Sequence, residues 1–238
     1  MKTRLRILNL EDSANDAELN DAMIAARWPQ SELVRVATRD EFVVALEAGG
    51  FDLILSDFTM PGFDGQQALA LAHEKRPEVP FLFVSGTIGE DTAIEALKNG
   101  ATDYVLKHRL MRLIPAVDRA LREANERAEY QRADEAMRQS EHKYRELFES
   151  LGDAAFLADE QTGKIIDTNR CAEMMLGCSR GDILGRRQSQ FLSNDSVEPT
   201  FASKMIRADG RAVPVEVRTT QLKLYGRPLV LRLCHSLE

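Results

Sequence analysis

Cysteine is too scarce and too irregularly spaced in this sequence to build on. Cys171, Cys178 and Cys234 are odd in number and form no CxxC pair, which argues against a disulfide framework or a zinc site and for a reducing compartment. Long apolar runs are missing as well. The chain opens Met-Lys-Thr-Arg and passes straight into a strand-like segment, with neither the apolar stretch of a signal peptide nor a run of bilayer-spanning length. A cytoplasmic protein with no membrane partner is the expectation. A basic excess is absent too: the formal net charge is -7, so the field that draws a protein to nucleic acid is lacking. What is present is 238 residues of ordinary globular composition, enough for two domains with a core each. The closing Leu237-Glu238 reads equally as a tag-derived scar, beyond which the natural protein would continue.

Short apolar runs of strand length recur at 5–10, 33–36, 53–56, 81–84 and 104–106. Helix-period patterns fill the gaps at 14–26, 39–48, 66–75 and 90–99. Five β-α repeats predict an α/β fold, a doubly wound parallel five-stranded sheet whose site lies outside the carboxyl ends of its strands. Between 116 and 150 glycine and proline vanish and Ala, Arg, Glu and Gln dominate, the pattern of one long helix. Val117, Leu121, Ala124 and Ala128 are spaced 4-3-4. Ala133, Met137, Ser140, Tyr144, Leu147 and Leu151 continue 4-3-4-3-4 out of phase with the first series. Either a parallel coiled-coil connector with a register break or a solvated helix with an alanine stripe satisfies this. After Leu151 the period changes again. Strands at 154–158, 164–167, 203–207, 213–222 and 229–233, with turns at Thr162-Gly163, Asp209-Gly210 and Tyr225-Gly226 and short helices after the second, predict an α+β domain with an antiparallel sheet.

Acidic residues mark the ends of the first domain's strands. Glu11 and Asp12 close the first, Asp57 the third; Ser85 closes the fourth and Lys107 the fifth. Carboxylates brought this close repel one another and call for a shared hard cation such as Mg²⁺. A carboxylate so held is also a nucleophile: phosphoryl transfer to Asp57 needs charge neutralised on the phosphoryl oxygens, by the metal, the Ser85 hydroxyl and the Lys107 ammonium. Taken singly, each residue has an ordinary reading as a cap, a surface charge or a core residue.

This set, together with LILSDFTMPGFDG at 53–65 and KNGATDYVLK at 98–107, resembles the receiver domain of bacterial response regulators over about residues 1–125. The resemblance implies a flavodoxin-like fold, Asp57 as phospho-acceptor, and Mg²⁺ on Glu11, Asp12, Asp57 and the Thr59 backbone carbonyl. It also implies Tyr104 as a switch aromatic moving with Ser85, and a histidine kinase or phosphotransfer protein as partner. Lys107-His108 stands where the family carries Lys-Pro, and Gly86 where it often carries Ala; both leave the surrounding loops less constrained. KYRELFESLGDAAFLADEQTGKIIDTNRCAEMMLGCSRGDILGR at 143–186, with RADGRAVPVEVRTTQL and GRPLVLRLCHS later, resembles a PAS domain, which would sense a ligand, bind a cofactor or pair chains. The expected division is a receiver at 1–125, a helical coiled-coil linker at 115–148 and a PAS domain at 149–236.

Some chemistry is argued against. A flavin-photoactive PAS domain has Asn-Cys-Arg in a particular helix, whereas Asn169-Arg170-Cys171 has another order and another place; no histidine stands where a haem ligand would, His235 being in the last strand. Cys171 and Cys178 read as small core residues. His142 lacks the acid pairing of a kinase phospho-acceptor, and no Gly-rich ATP-binding segment follows, so no kinase catalytic domain is expected in this chain. Asp57-Phe58-Thr59 lacks the second aspartate that a phosphatase would use as general acid. The expected function is a phosphorelay in which a homodimeric receiver passes its state through the helix to the PAS domain. The alternatives are the regulatory part of a larger hybrid histidine kinase or cyclase, and a scaffold whose receiver is seldom phosphorylated.

Overall fold

The computed structural model describes residues 4–86, 90–193, 196, 198–224 and 226–237, so Tyr225 of the expected Tyr225-Gly226 turn lies outside the described residues. The chain divides into two compact units, Met1–Asp134 and Glu135–Glu238.

The first unit alternates strands and helices: β1 (Arg6–Leu10), α1 (Ala14–Arg27), β2 (Glu32–Val36), α2 (Arg39–Ala48), β3 (Leu53–Ser56), α3 (Gly65–Lys75), β4 (Phe81–Ser85), α4 (Glu90–Lys98) and β5 (Asp103–Leu106). A 3₁₀ turn at Lys107–Arg112 then leads into α5 (Leu113–Glu149). The strands pair in parallel in the order β2-β1-β3-β4-β5. Buried on both sides, they read as near-continuous apolar runs, and alternate residues serve opposite faces. Leu8, Leu10, Ile54, Phe81 and Phe83 pack with Phe42, Leu46 and Leu69 of α2 and α3; Ile7, Leu53, Leu55, Leu82 and Val84 pack with Ile24 and Trp28 near α1 and Val117 of α5. Ser13, Thr38 and Asp64 each accept a backbone N–H at the start of α1, α2 and α3, which ends the preceding loops sharply. The chain leaves β1 for β2 on one side and reaches β3 on the other, so a crevice opens above β1 and β3.

Val117 was expected in a coiled-coil seam and is instead fully buried in the first unit's core, with Ala116 and Ala120 beside it and Leu121 packed against the same cluster. A seam and a core-facing stripe share one period, so the pattern alone does not separate them. Further along α5, Tyr130 and Met137 are exposed.

The second unit holds β6 (Ala154–Asp159), β7 (Ile165–Thr168), α6 (Arg170–Leu176), α7 (Arg180–Ile183), β8 (Thr200–Ile206), β9 (Ala212–Leu224) and β10 (Arg227–Ser236). The antiparallel sheet runs β7-β6-β10-β9-β8 and encloses Phe156, Leu176, Ile183, Met205, Val215 and Val217 against its helices. Asn169 ties it together: its side-chain oxygen accepts from the amides of Ala155 (2.9 Å) and Ala172 (3.0 Å), and its Nδ2 donates to the Asp153 carbonyl (2.9 Å). Of the cysteines only Cys234 is fully buried, and burial pushes its thiol up to about 12. Cys171 and Cys178, expected as core, are half-buried at its margin.

Candidate functional site

The crevice above β1 and β3 is acidic. Glu11 continues β1, its amide donating to the Val36 carbonyl at 3.0 Å, and Asp57 continues β3, its amide donating to the Leu10 carbonyl at 2.8 Å. The sheet ladder thus aims both carboxylates into one space. Glu11 is 1% exposed and Asp57 9%, while Asp12 faces solvent; one oxygen from each lies within 4.8 Å of the others. Arg35 of β2 fixes the loop that carries two of them, donating through Nε to the Glu11 carbonyl at 2.9 Å and through Nη2 to the Asp12 carbonyl at 2.5 Å.

Lys107 arrives from the far edge of the sheet. Its Nζ lies 2.7 Å from Asp57 Oδ2, 2.9 Å from Glu11 Oε2 and 2.5 Å from Asp16 Oδ2. Burial draws the ammonium's pKa down, but the bonds to Asp16, Asp57 and Glu11 outweigh it and hold Lys107 above its ordinary value. Glu11 is shifted up chiefly by burial, a shift that Lys107 only partly offsets. The carboxylates are also oriented by amides: Ser13 N–H donates to Glu11 Oε1 at 3.2 Å and Thr59 N–H to Asp57 Oδ1 at 3.2 Å.

Ser85 is the last residue of β4 and is buried. Tyr104 is half-buried on β5, paired in register with Phe83 and packed against the same cluster, so it shares a sheet face with Ser85 diagonally across the strand pair. Thr59 enters the site through its amide. Three contributors escaped the sequence reading: Asp16, Arg35 and Gly65. A Cβ at Gly65 would stand 2.9 Å from the Asp57 carbonyl oxygen and 2.6 Å from Phe83 Cε1, so the acceptor loop closes on α3 only over glycine. Asp16's one visible signal was its place in the first turn of α1, which a helix favours for a carboxylate anyway.

Three carboxylates, Glu11, Asp16 and Asp57, lie against the Lys107 ammonium, a fourth, Asp12, is grouped with Glu11 and Asp57, and every donor in that group is oxygen. That surplus of negative charge on hard donors fits a small divalent cation such as Mg²⁺, held by Glu11, Asp12 and Asp57.

An α/β module of strand order 2-1-3-4-5 with an acidic pocket at its switch point, followed by an antiparallel α+β domain, is the class defined by fold and site. Residues 7–118 match the family model of the response regulator receiver domain, and residues 142–236 match that of the PAS fold. The chain carries a receiver domain followed by a PAS domain. Among curated relatives, the response regulator protein FleR of Pseudomonas aeruginosa is 33% identical over 97 residues, 41% of this chain and 20% of its own length. The regulatory protein LuxO of Vibrio cholerae is 39% identical over 75 residues, 31% of this chain and 16% of its own. The chain therefore spans about a fifth or less of those proteins. Among solved structures, NtrX from Brucella abortus in complex with ATP is 25% identical with a TM-score of 0.50, covering 53% of this chain and 29% of that one. The PAS domain of an HTR-like protein from Haloarcula marismortui is 23% identical with a TM-score of 0.40, covering 45% of this chain and 99% of that one. The two domains and the response regulator relatives support a part in two-component signalling. Among the described residues, no helix is long and apolar enough to cross a membrane.

Proposed function

We propose that Asp57 accepts a phosphoryl group from a histidine kinase or phosphotransfer protein and that the resulting change reaches the PAS domain through α5. The observation that carries this reading is the bond from Lys107 Nζ to Asp57 Oδ2, with Glu11 and Asp12 completing the carboxylate set at the switch point. An Asp57 oxygen attacks phosphorus, a new P–O bond forms, and the bond to the donor's imidazole nitrogen breaks with its electron pair remaining on nitrogen. Bound Mg²⁺, held by Glu11, Asp12, Asp57 and the Thr59 carbonyl, would neutralise charge on the phosphoryl oxygens. Lys107 stays paired to the acceptor side and meets a second oxygen. The Ser85 hydroxyl donates to a third, and Tyr104 follows it on the same sheet face. Thr59 N–H holds the acceptor carboxylate in its attacking orientation.

Transmission is supported by where α5 spends its residues. Its early turns are core to the first unit through Val117 and Ala120. Its last turns belong to the second, where Phe148 is buried, Tyr144 stacks on it at 5.5 Å, and Tyr144 Oη donates to Asp167 Oδ2 at 2.9 Å. These contacts fall ahead of residue 149, so the working division is a receiver at 1–125, a connector at 115–148 whose last turns serve both, and a PAS domain at 149–236. The protein acts in the cytoplasm as a homodimer paired along α5. The test is incubation with acetyl phosphate and Mg²⁺ followed by intact-mass spectrometry against Asp57→Asn. A Mg²⁺-dependent adduct absent from the variant supports the reading. Equal adducts in both, or none in either, overturn it. Dimerisation is tested separately by sedimentation of the phosphorylated and untreated chain, and an unchanged monomer in both rejects it.

A further inference from the structure

Asp16 has no place in the phosphoryl-transfer scheme above, yet it lies nearest the Lys107 ammonium, 2.5 Å from Nζ, against 2.7 Å for Asp57 and 2.9 Å for Glu11. The ammonium donates to Asp16 Oδ2 and to Asp57 Oδ2, while Glu11 Oε2 faces it as an ion pair without a hydrogen bond. The three carboxylates are not equivalent. Glu11 and Asp57 belong, with Asp12, to the group whose oxygens lie within 4.8 Å of one another and can hold a cation; Asp16 is outside that group. A divalent cation held by Glu11, Asp12 and Asp57 would draw the charge of Glu11 and Asp57 to itself. When phosphorus is attached, Asp57 loses charge on the bonded oxygen. Asp16, which contacts Lys107 from outside that group, would be released by neither step.

That place is well defined. Asp16 is in the first turn of α1, where its amide donates to Ser13 Oγ at 3.3 Å, and the same Ser13 donates its amide to Glu11 Oε1. The carboxylate therefore stands at a fixed offset from the acid corner, on a helix whose inner face is buried through Ala17, Asn20 and Ile24. Lys107 itself starts a 3₁₀ turn with a non-helical residue at Arg109 (φ -129°, ψ 39°), and its residue 108 is His where the receiver family carries Pro. A lysine less constrained by its own backbone gains most from an anchor at its tip.

We propose that Asp16 is a positioning residue that tethers the Lys107 ammonium throughout the phosphorylation cycle, holding it in reach of the phosphoryl oxygens after Glu11 and Asp57 have turned to the metal. This rests on the reading of Asp57 as the phospho-acceptor. Its bland alternative is that Asp16 merely favours the N-terminus of α1 through the helix dipole.

Two measurements on the full chain separate these. The first is the rate of Mg²⁺-dependent phosphorylation by saturating acetyl phosphate in wild type, Asp16→Asn, Asp16→Glu, Lys107→Ala and the Asp16→Asn/Lys107→Ala double variant. Asp16→Asn slows the reaction about fivefold, the worth of one partly exposed ion pair. Asp16→Glu recovers part of the rate, and Asp16→Asn has no further effect once Lys107 is gone, since the two act as one unit. The second is ¹⁵N relaxation of the lysine ammonium groups without metal or phosphodonor. The Lys107 group is rigid in wild type and loosens in Asp16→Asn. An unchanged Lys107 signal in Asp16→Asn, an unchanged rate, or equal slowing with and without Lys107 overturns the proposal; the last outcome assigns Asp16 to helix stability. Should wild type fail to form an adduct at all, the phospho-acceptor reading falls, while the relaxation measurement still decides whether Asp16 anchors Lys107.

Discussion

Replacing Gly65 by alanine adds one methyl group at the junction of acceptor loop and helix, and the structure gives both the sign and the size of the effect. The new Cβ would stand 2.6 Å from Phe83 Cε1, 2.9 Å from the Asp57 carbonyl oxygen and 2.9 Å from Phe58 Cα. Two of those three neighbours are backbone, and the third is a core ring that packs edge-on against both Phe58 and Phe81. None can swing away alone. Overpacking of this kind costs about 1–3 kcal/mol, while alanine in place of glycine returns at most about 1 kcal/mol of helix propensity. With the full return subtracted, the balance is a destabilisation of about 1 kcal/mol at mid-range and up to about 2 kcal/mol. Trp28 is the only tryptophan in the chain and is 5% exposed in the first unit's core, so urea unfolding followed by its fluorescence reads this unit without the other. The midpoint falls at unchanged slope, and because the methyl displaces the loop that carries Asp57, the yield of Mg²⁺-dependent phosphorylation falls with it. A Gly65→Ala protein as stable as wild type, or more so, refutes the steric account of this loop.

Lys107→Ala leaves buried Glu11 and Asp57 without their common cation, which costs about 2–3 kcal/mol without metal. Mg²⁺ then stabilises this variant more than it does wild type in the same Trp28 assay, and an equal Mg²⁺ effect on both would contradict the shared site. Asp167→Asn removes the charge that accepts from Arg180 (2.9 Å), Tyr144 (2.9 Å) and Arg145 (3.3 Å) in the second unit, at a cost of about 1–2 kcal/mol given how exposed the arginines are. The same residue sets an acid limit. Burial raises the Asp167 carboxyl, but Arg180, Tyr144, the Thr168 amide and Arg145 outweigh it and hold its pKa below 3.8. Its contribution is complete above that value and is lost as pH falls through the lowered folded-state pKa. Asp167→Asn therefore flattens the acid limb of a stability profile read by hydrogen exchange in α5's last turns, and an unaltered acid limb would refute the role given to Asp167.

The strands of the first unit were legible because a parallel sheet buried on both faces writes itself as short, nearly unbroken apolar runs. Glu11, Asp12, Asp57 and Lys107 were legible as a group because strand ends converge in a doubly wound sheet whatever the loops do, and Ser85 was legible as the buried end of β4. Lys107 reaches Asp57 with His108 behind it, from a 3₁₀ turn that no periodicity announces. Asp16, Arg35 and Gly65 were hidden for a different reason: each acts through a neighbour 23 or more residues away or through a close approach across a core, and neither leaves a local pattern. Val117 was misassigned because its spacing serves a seam and a core stripe alike. Tyr144 was counted for a seam too, whereas its hydroxyl is spent on Asp167 and its ring on Phe148.

Phosphoryl attachment to an Asp57 oxygen is tested most directly by trapping the adduct where it forms. After reaction with acetyl phosphate and Mg²⁺, borohydride reduction converts an aspartyl phosphate to homoserine, which peptide mass spectrometry locates. Homoserine at position 57, dependent on Mg²⁺ and abolished by Glu11→Gln with Asp12→Asn, is the predicted result; reduction at another aspartate, or at position 57 without Mg²⁺, would contradict the site described above.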